Sequence, residues 1–312
     1  MTHPVRLALF ALVAHLSILA TGGMSQAGHV WNDPYAGVDW QAAVRLKTQF
    51  HDHVMTDSDR ITAYDTAGYD VVPLMHYSGD PSRSYAWTER HWPPEDWLSA
   101  DFLVSLENID FFIPGAEEIS GQHLTSPFLT TYIEWWRPSV FPQDKETHHY
   151  EKTQEAIDLI RSYGGIPILC HPWGGAERFL TDYHAVEMYS AYAEFRTFNG
   201  YYDFDASAVL YNFWDARLRD NPTLYGIAVN DWYGAFAASN IQAQAPTIID
   251  SGKTIVLSNQ TTPEAFREAV ENGAMLAVSD MGVTKDAYPH IESILVDADT
   301  IAIDTTDDVL WI

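Results

Sequence analysis

Short apolar runs that are typical of β-strands alternate with helix-like stretches along the middle of the chain. The predicted strands cover residues 46–54, 70–77, 110–119, 166–171, 185–192 and 224–232. The clearest predicted helices cover residues 146–163, which end at Gly164 and Gly165, and residues 204–219. Strands that alternate with helices favour an α/β fold with a parallel sheet or barrel.

The pattern changes near residue 245. An apolar run at residues 254–257 precedes a predicted helix at 263–272, which Pro263 opens and Gly273 ends. Strand-like alternation then fills residues 291–304. We therefore divide the chain into a barrel domain at residues 28–244 and a short α+β or β-rich C-terminal extension at residues 245–312. One or two strands cannot close a sheet alone, so we expect this extension to be incomplete.

The first residues predict an export signal at positions 1–27. Arg6 is the only charged residue there, and an apolar run at 7–20 leads to a small-residue exit at 25–27. The run is shorter than the roughly 20 residues that span a bilayer. We expect cleavage after Ala27, a periplasmic or extracellular location and no stable membrane insertion.

The composition excludes a protein that reads nucleic acid. The chain of 312 residues has 43 acidic and 17 basic side chains and a formal charge of −26, which would repel phosphate backbones. Apolar residues make up 46% of the chain, enough for one large core. Cys170 is the only cysteine, so an internal disulfide is impossible. We expect a small-molecule substrate, and the oligomeric state stays open.

Two histidines separated by one residue, His51 and His53, lie near the end of the first predicted strand. Alternate residues of a strand face the same side, so both imidazoles could reach one metal ion. Further residues of ligand type recur at the carboxyl ends of later predicted strands, namely His76, Glu117, His171 and Asp231. Active sites of barrels lie at these strand ends, so the recurrence predicts a metal centre.

The order of these motifs resembles the PHP (polymerase and histidinol phosphatase) family over roughly residues 45–235. Residues 46–59 resemble its strand that ends in His-x-His, and residues 67–76 resemble its glycine turn and strand that ends in Thr-Asp-His. Later matches are Pro-Gly-x-Glu at 114–117, Gly-Gly-strand-His-Pro at 164–172, a strand at 186–189, and Gly-strand-Ser-Asp-x-His at 226–231. The resemblance implies a distorted (β/α)7 TIM-like barrel, with the appendage found in some secreted members.

The resemblance also implies a binuclear centre of divalent ions, with Zn, Mn or Fe as the candidates. One site would consist of His51, His53, Glu117 and Asp231. A second site would share Glu117 and add His171 and another histidine, for which His123 is the candidate.

A third site of the family would use a residue near Asp59, His76 and a histidine two places after Asp231. Here Met75 replaces the aspartate of Thr-Asp-His, and Tyr233 occupies the place of the last histidine. We therefore expect two metal ions, with a third as the alternative.

A centre of this kind predicts a hydrolase, because two bound dications activate water near neutral pH and polarise the scissile group. Our first choice is a phosphoesterase in which Glu117 and Asp231 act at the metals. Asp59 could orient a histidine or stabilise a leaving group as a general acid, and the alternative is a helix N-cap. Arg178 is the candidate substrate-binding residue for a phosphate group. Glu187 either orients a ligand or is a simple acid at the edge of the sheet.

Three alternatives remain open. The loops are rich in tryptophan, which would also suit an ester, amide or carbamate substrate at the same centre. Amidohydrolase barrels share the His-x-His motif, but this chain has no lysine at a middle strand end, where Glu117 takes the bridging place. The departures at Met75 and Tyr233 motivate a catalytically inactive PHP-like binding module.

We expect Cys170 to point away from His171, since neighbouring strand residues face opposite sides, and to be a core residue.

Overall fold

The computed structural model describes residues 33–52, 58–77, 93, 96, 98–117, 123–133, 145–173, 176–231, 250–279, 291–296 and 301–306. The predicted signal at residues 1–27 lies outside the described residues. Among the described helices, none combines the length and the hydrophobicity that a transmembrane span requires.

Eleven strands are described, and six of them form the main sheet in chain order. They are β1 (Val44–Thr48), β2 (Val71–Tyr77), β3 (Phe111–Glu117), β4 (Leu124–Pro127), β5 (Ile168–Leu169), β6 (Ala185–Ser190), β7 (Tyr225–Val229), β8 (Gly252–Ser258), β9 (Met275–Ser279), β10 (Ile291–Val296) and β11 (Ile301–Thr305). The main sheet runs from β2 to β7, and all of its strands are parallel except β4, which is antiparallel to both neighbours. The predicted mixed α/β class is confirmed, but β4 was not predicted.

Strands β1, β8 and β9 form a smaller antiparallel sheet in the order β1-β8-β9. This sheet contacts the main sheet at both of its edge strands, β2 and β7. At one edge, the Thr48 hydroxyl of β1 donates to the Val71 carbonyl of β2 over 2.9 Å. At the other edge, the Thr254 hydroxyl of β8 donates to the Ala228 carbonyl of β7 over 3.0 Å. The described strands therefore form a curled six-stranded sheet joined to a second sheet, and the distorted (β/α)7 barrel that the resemblance implies stays a prediction.

Six α-helices are described: α1 (Ser58–Thr66), α2 (Ala100–Val104), α3 (Lys145–Ser162), α4 (Ala191–Phe198), α5 (Ala206–Leu218) and α6 (Pro263–Asn272). The bounds of α6 are those predicted, because local signals define both ends. The Thr262 hydroxyl caps it by accepting from the Ala265 backbone N–H, Pro263 occupies the first turn, and Gly273 ends it with φ of 74°. Helix α4 was missed, since it begins directly where β6 ends.

The core joins the main sheet to the stretch that the sequence assigned to an extension. The Phe266 side chain of α6 is fully buried. Its ring centroid lies 5.7 Å from that of Phe111, 6.0 Å from that of Phe128 and 6.3 Å from that of Phe50. Residues 252–279 therefore share one core with β1 and β3.

Candidate metal centre

His51 is fully buried a short distance after β1, between two carboxylates. Its Nδ1 lies 2.5 Å from Glu187 Oε1, and its Nε2 lies 3.4 Å from Asp231 Oδ1. A carboxylate can only accept a hydrogen bond, so Nδ1 carries the proton that bonds to Glu187. This leaves Nε2, on the side of Asp231, as the nitrogen that could bind a metal.

Glu187 lies in the middle of β6 and is fully buried. While Oε1 accepts from His51, Oε2 accepts from the backbone N–H of His171 over 2.7 Å. One carboxylate therefore orients the His51 ring and fixes the backbone that carries His171. Carboxylates that accept from the far side of a histidine ring commonly set the tautomer of metal ligands.

His171 follows β5 and faces His123, which precedes β4. The two rings have centroids 4.6 Å apart, and His123 Nδ1 lies 2.7 Å from His171 Nε2. The other nitrogen of His171, Nδ1, is buried and has no hydrogen-bond partner among the described residues. A buried polar atom without a partner costs free energy, and a bound ion is one way to recover it.

Three imidazoles thus converge from separate parts of the chain. One ring nitrogen from each of His51, His123 and His171 lies within 4.8 Å of the others. Neutral imidazole together with carboxylate oxygen is a ligand set that suits Zn, Mn or Fe. The described residues therefore fit a divalent metal ion at this place.

Asp231 reaches the cluster from the carboxyl end of β7. Its backbone has φ of 52°, and its N–H donates to the His51 carbonyl over 3.0 Å. The preceding Asn230 is fully buried, donates to the hydroxyls of Tyr64 and Tyr69, and accepts from the Gly252 N–H. This network holds the turn that presents the Asp231 carboxylate.

The electrostatics of the cluster favour a cation. Burial and the neighbouring His123 lower the pKa of His171 to about 4, so its ring is neutral and can donate a lone pair near pH 7. Burial also acts to lower the pKa of His51, but Cys170, Asp231 and Glu187 outweigh it and raise that pKa well above the usual value. The pocket thus stabilises a positive charge at His51, which a metal ion could supply instead of a proton.

The predicted orientation of the Cys170 side chain, away from the predicted metal centre, is wrong. Its sulfur lies within 4.8 Å of a ring nitrogen of His51 and of an oxygen of Glu187, and so it faces the cluster. Strand β5 ends at Leu169, and His171 has φ of 26°, so the alternation of strand side chains does not extend to this pair. Burial raises the pKa of the Cys170 thiol to about 12, which keeps it a neutral neighbour of His51 near pH 7.

Several predicted ligands lie partly or wholly beyond the described region. His53 is outside the described residues, and so is Tyr233, which occupies the place of the third-site histidine in the resemblance. His76 and Glu117 are near the carboxyl ends of the paired strands β2 and β3, although their side chains are not among those described. Their roles as ligands, and that of Glu117 in catalysis, stay predictions.

The remaining predicted site residues are Asp59 and Arg178. Asp59 is exposed in the first turn of α1. Arg178 lines a groove of about 540 Å³ together with Arg161 and His184, at the amino-terminal ends of β6 and β7. The histidine cluster is at the carboxyl-terminal ends of the strands. Catalysis by Asp59 and substrate binding by Arg178 stay predictions.

The contribution of Glu187 was left open by the sequence, although one signal was available. Strand β6 reads Ala-Val-Glu-Met-Tyr-Ser and is buried at every position. A carboxylate in the middle of a buried strand needs partners to offset the cost of desolvation. This is the pattern of a residue that holds other groups in place.

The chain has a distant structural likeness to known proteins. No protein-family model matches the sequence, and no curated protein matches it. Six chains of known structure match, among them a two-domain protein from Bacteroides vulgatus that contains a predicted PHP-like metal-dependent phosphoesterase. That match has a TM-score of 0.44 and 14% identity, and it covers 78% of this chain and 66% of the other, just under two thirds of its length. A likeness of this size carries no argument on function, which has to come from the side chains at the site.

Proposed function

We propose that the protein is a metal-dependent hydrolase with a centre built on His51, His123, His171 and Asp231. The observation that carries this proposal is the convergence of three ring nitrogens within 4.8 Å, with the Asp231 carboxylate beside them. We include His53 and Glu117 from the sequence resemblance as further ligands of a binuclear centre. The preferred substrate is a phosphoester of a small molecule, and the protein acts outside the cytoplasm.

The residues of this chain prepare the centre in three ways. Glu187 holds the His51 ring so that Nε2 points to Asp231. Burial keeps His171 neutral, so it can act as a ligand without first losing a proton. Divalent ions, when bound, would supply a Lewis acid and an activated water near neutral pH.

Met75 favours two metal ions over three. It is fully buried in β2, and a Cβ on Gly115 of β3 would fall 2.5 Å from its sulfur. A thioether packed against the neighbouring strand takes the place of the aspartate that the resemblance associates with the third site. We therefore propose a binuclear centre.

Hydrolysis of an ester, amide or carbamate at the same centre is the second candidate. It is favoured by the aromatic surroundings of His171, whose ring stacks on Trp173 with centroids 5.6 Å apart. It is also favoured by the position of Arg178, the predicted phosphate-binding residue, at the other end of the sheet.

The test combines metal analysis with a substrate panel. Purified protein loaded with manganese or zinc is assayed with 4-nitrophenyl phosphate and 4-nitrophenyl acetate, and bound metal is measured by elemental analysis. We expect His171→Gln to lose bound metal and activity together. His184→Gln is the matched control, because His184 Nε2 donates to the Val270 carbonyl away from the cluster.

The two candidates and the inactive module give different results. Hydrolysis of the acetate alone would replace the phosphoesterase by the second candidate. Less than one equivalent of metal per chain, with no hydrolysis of either compound, would favour a binding module. Full metal content in His171→Gln would contradict the proposed centre.

A further inference from the structure

Three aromatic rings form a connected surface beside the histidine cluster. Trp173, Tyr202 and Phe204, here called the aromatic platform, contact one another. The Trp173 ring lies 5.7 Å from Tyr202 and 5.6 Å from Phe204 in edge-to-face geometry. Tyr202 and Phe204 are stacked 5.0 Å apart, with planes that differ by 14°. These distances are those of favourable aromatic pairs.

The platform is joined directly to a proposed metal ligand. Trp173 stacks on the ring of His171, with centroids 5.6 Å apart and planes that differ by 22°. The rings reach the surface, since Trp173 is 38% exposed and Phe204 is 39% exposed. The platform is therefore accessible from solvent next to a proposed metal ligand, which is where part of a substrate could bind.

Charges beside the platform connect it to the same centre. The Arg196 guanidinium lies 4.9 Å from the centroid of the Tyr202 ring. Burial raises the pKa of Tyr202, while Arg196 acts to lower it and Asp231 acts to raise it. The phenol of Tyr202 is thus within electrostatic range of both Arg196 and the carboxylate that faces His51.

We propose that the aromatic platform binds a planar aromatic ring in the substrate, which places an attached phosphoester at the histidine cluster. The substrate class is therefore an aryl-bearing phosphoester. This inference rests on the proposed function. The face of a flat ring would stack on Trp173, which itself stacks on His171, so ring and reacting group would occupy adjoining sites.

Binding of two phosphonates tests the platform without a chemical step. Phenylphosphonate and methylphosphonate share the anionic group but differ in the ring, and neither is hydrolysed as an ester, so the acidity of a leaving group does not enter. Each is titrated by calorimetry into the full chain loaded with manganese or zinc. We expect phenylphosphonate to bind more tightly, and Trp173→Ala to reduce the phenyl-to-methyl affinity ratio by about two- to tenfold.

Two further variants make the result specific. Phe204→Ala alters the platform without removing the ring that stacks on His171, and it should lower the same ratio. Phe179→Ala is the control, because Phe179 is 55% exposed in the groove at the amino-terminal ends of β6 and β7. Metal content is measured for every variant, and methylphosphonate affinity should stay close to that of the wild type.

The platform and the proposed function fail in distinguishable ways. Equal affinity for both phosphonates in the wild type, or an unchanged ratio in both platform variants, would overturn the platform and leave the hydrolase. If neither phosphonate binds the metal-loaded protein, both the phosphoester assignment and the platform are overturned.

Discussion

At the scale of single residues, the proposed centre depends most on Glu187. A fully buried carboxylate is costly unless its oxygens accept hydrogen bonds, and both oxygens of Glu187 do so. One bond orients the His51 ring, and the other fixes the backbone of His171. Removing the charge should therefore disturb two proposed ligands at once.

Glu187→Gln keeps the size of the side chain but weakens its hold on His51 Nδ1. Changes of this kind next to a metal ligand typically reduce metal affinity by about 10- to 100-fold, and we expect a loss in that range. The measurement is calorimetric titration of the metal-free protein with zinc or manganese. Glu271→Gln is the control, because Glu271 pairs with Arg267 on the exposed side of α6. Unchanged metal affinity in Glu187→Gln would remove Glu187 from the centre.

At the scale of secondary-structure elements, β8 approaches β7 closely at Gly252. A Cβ at this position would collide with the Val229 carbonyl of β7, a backbone atom that cannot move aside cheaply. The Gly252 N–H also donates to Asn230 Oδ1, next to Asp231. Close packing here therefore joins the sheets and supports the turn that carries a proposed ligand.

Gly252→Ala should lower the free energy of unfolding by about 1–3 kcal/mol, the usual cost of overpacking a tight interior. Urea unfolding followed by circular dichroism measures the change. Gly37→Ala is the matched control, since a Cβ at Gly37 would meet nothing within 4 Å. Equal stability of the two variants would show that β7 and β8 are not packed as described.

At the scale of the whole molecule, charge is the dominant feature. The formal charge of −26 produces self-repulsion that opposes the compact state. The same net negative charge favours the approach of divalent cations to the molecule. An acidic molecule and a cation-binding pocket are thus consistent with each other.

Salt should therefore stabilise the metal-free protein. The screening length falls from about 10 Å at 0.1 M to about 3 Å at 1 M ionic strength, which weakens the repulsion among acidic side chains. We expect Tm at pH 7 to rise between low and high sodium chloride, measured by calorimetry in the presence of a chelator. Potassium chloride should act equally if screening is the cause. A constant or falling Tm would contradict this explanation.

Features that depend on neighbouring residues could be predicted from the sequence. The ends of α6 follow from Thr262, Pro263 and Gly273, which act within a turn of the helix. The mixed α/β class follows from the alternation of apolar runs and helix-like stretches. The candidate ligands His51, His171 and Asp231 could also be selected in advance, because their residue types recur at the carboxyl ends of predicted strands.

The way in which these residues meet depends on contacts between distant segments of the chain. His123 and His171 are 48 positions apart, and β1 pairs with β8 across most of the chain. The Cys170 side chain faces the histidine cluster because β5 ends early and His171 has a positive φ. No local sequence pattern indicates either feature. The physical reason is that hydrophobic periodicity specifies which face of an element is buried, whereas contacts between distant segments specify where that element ends and what it faces.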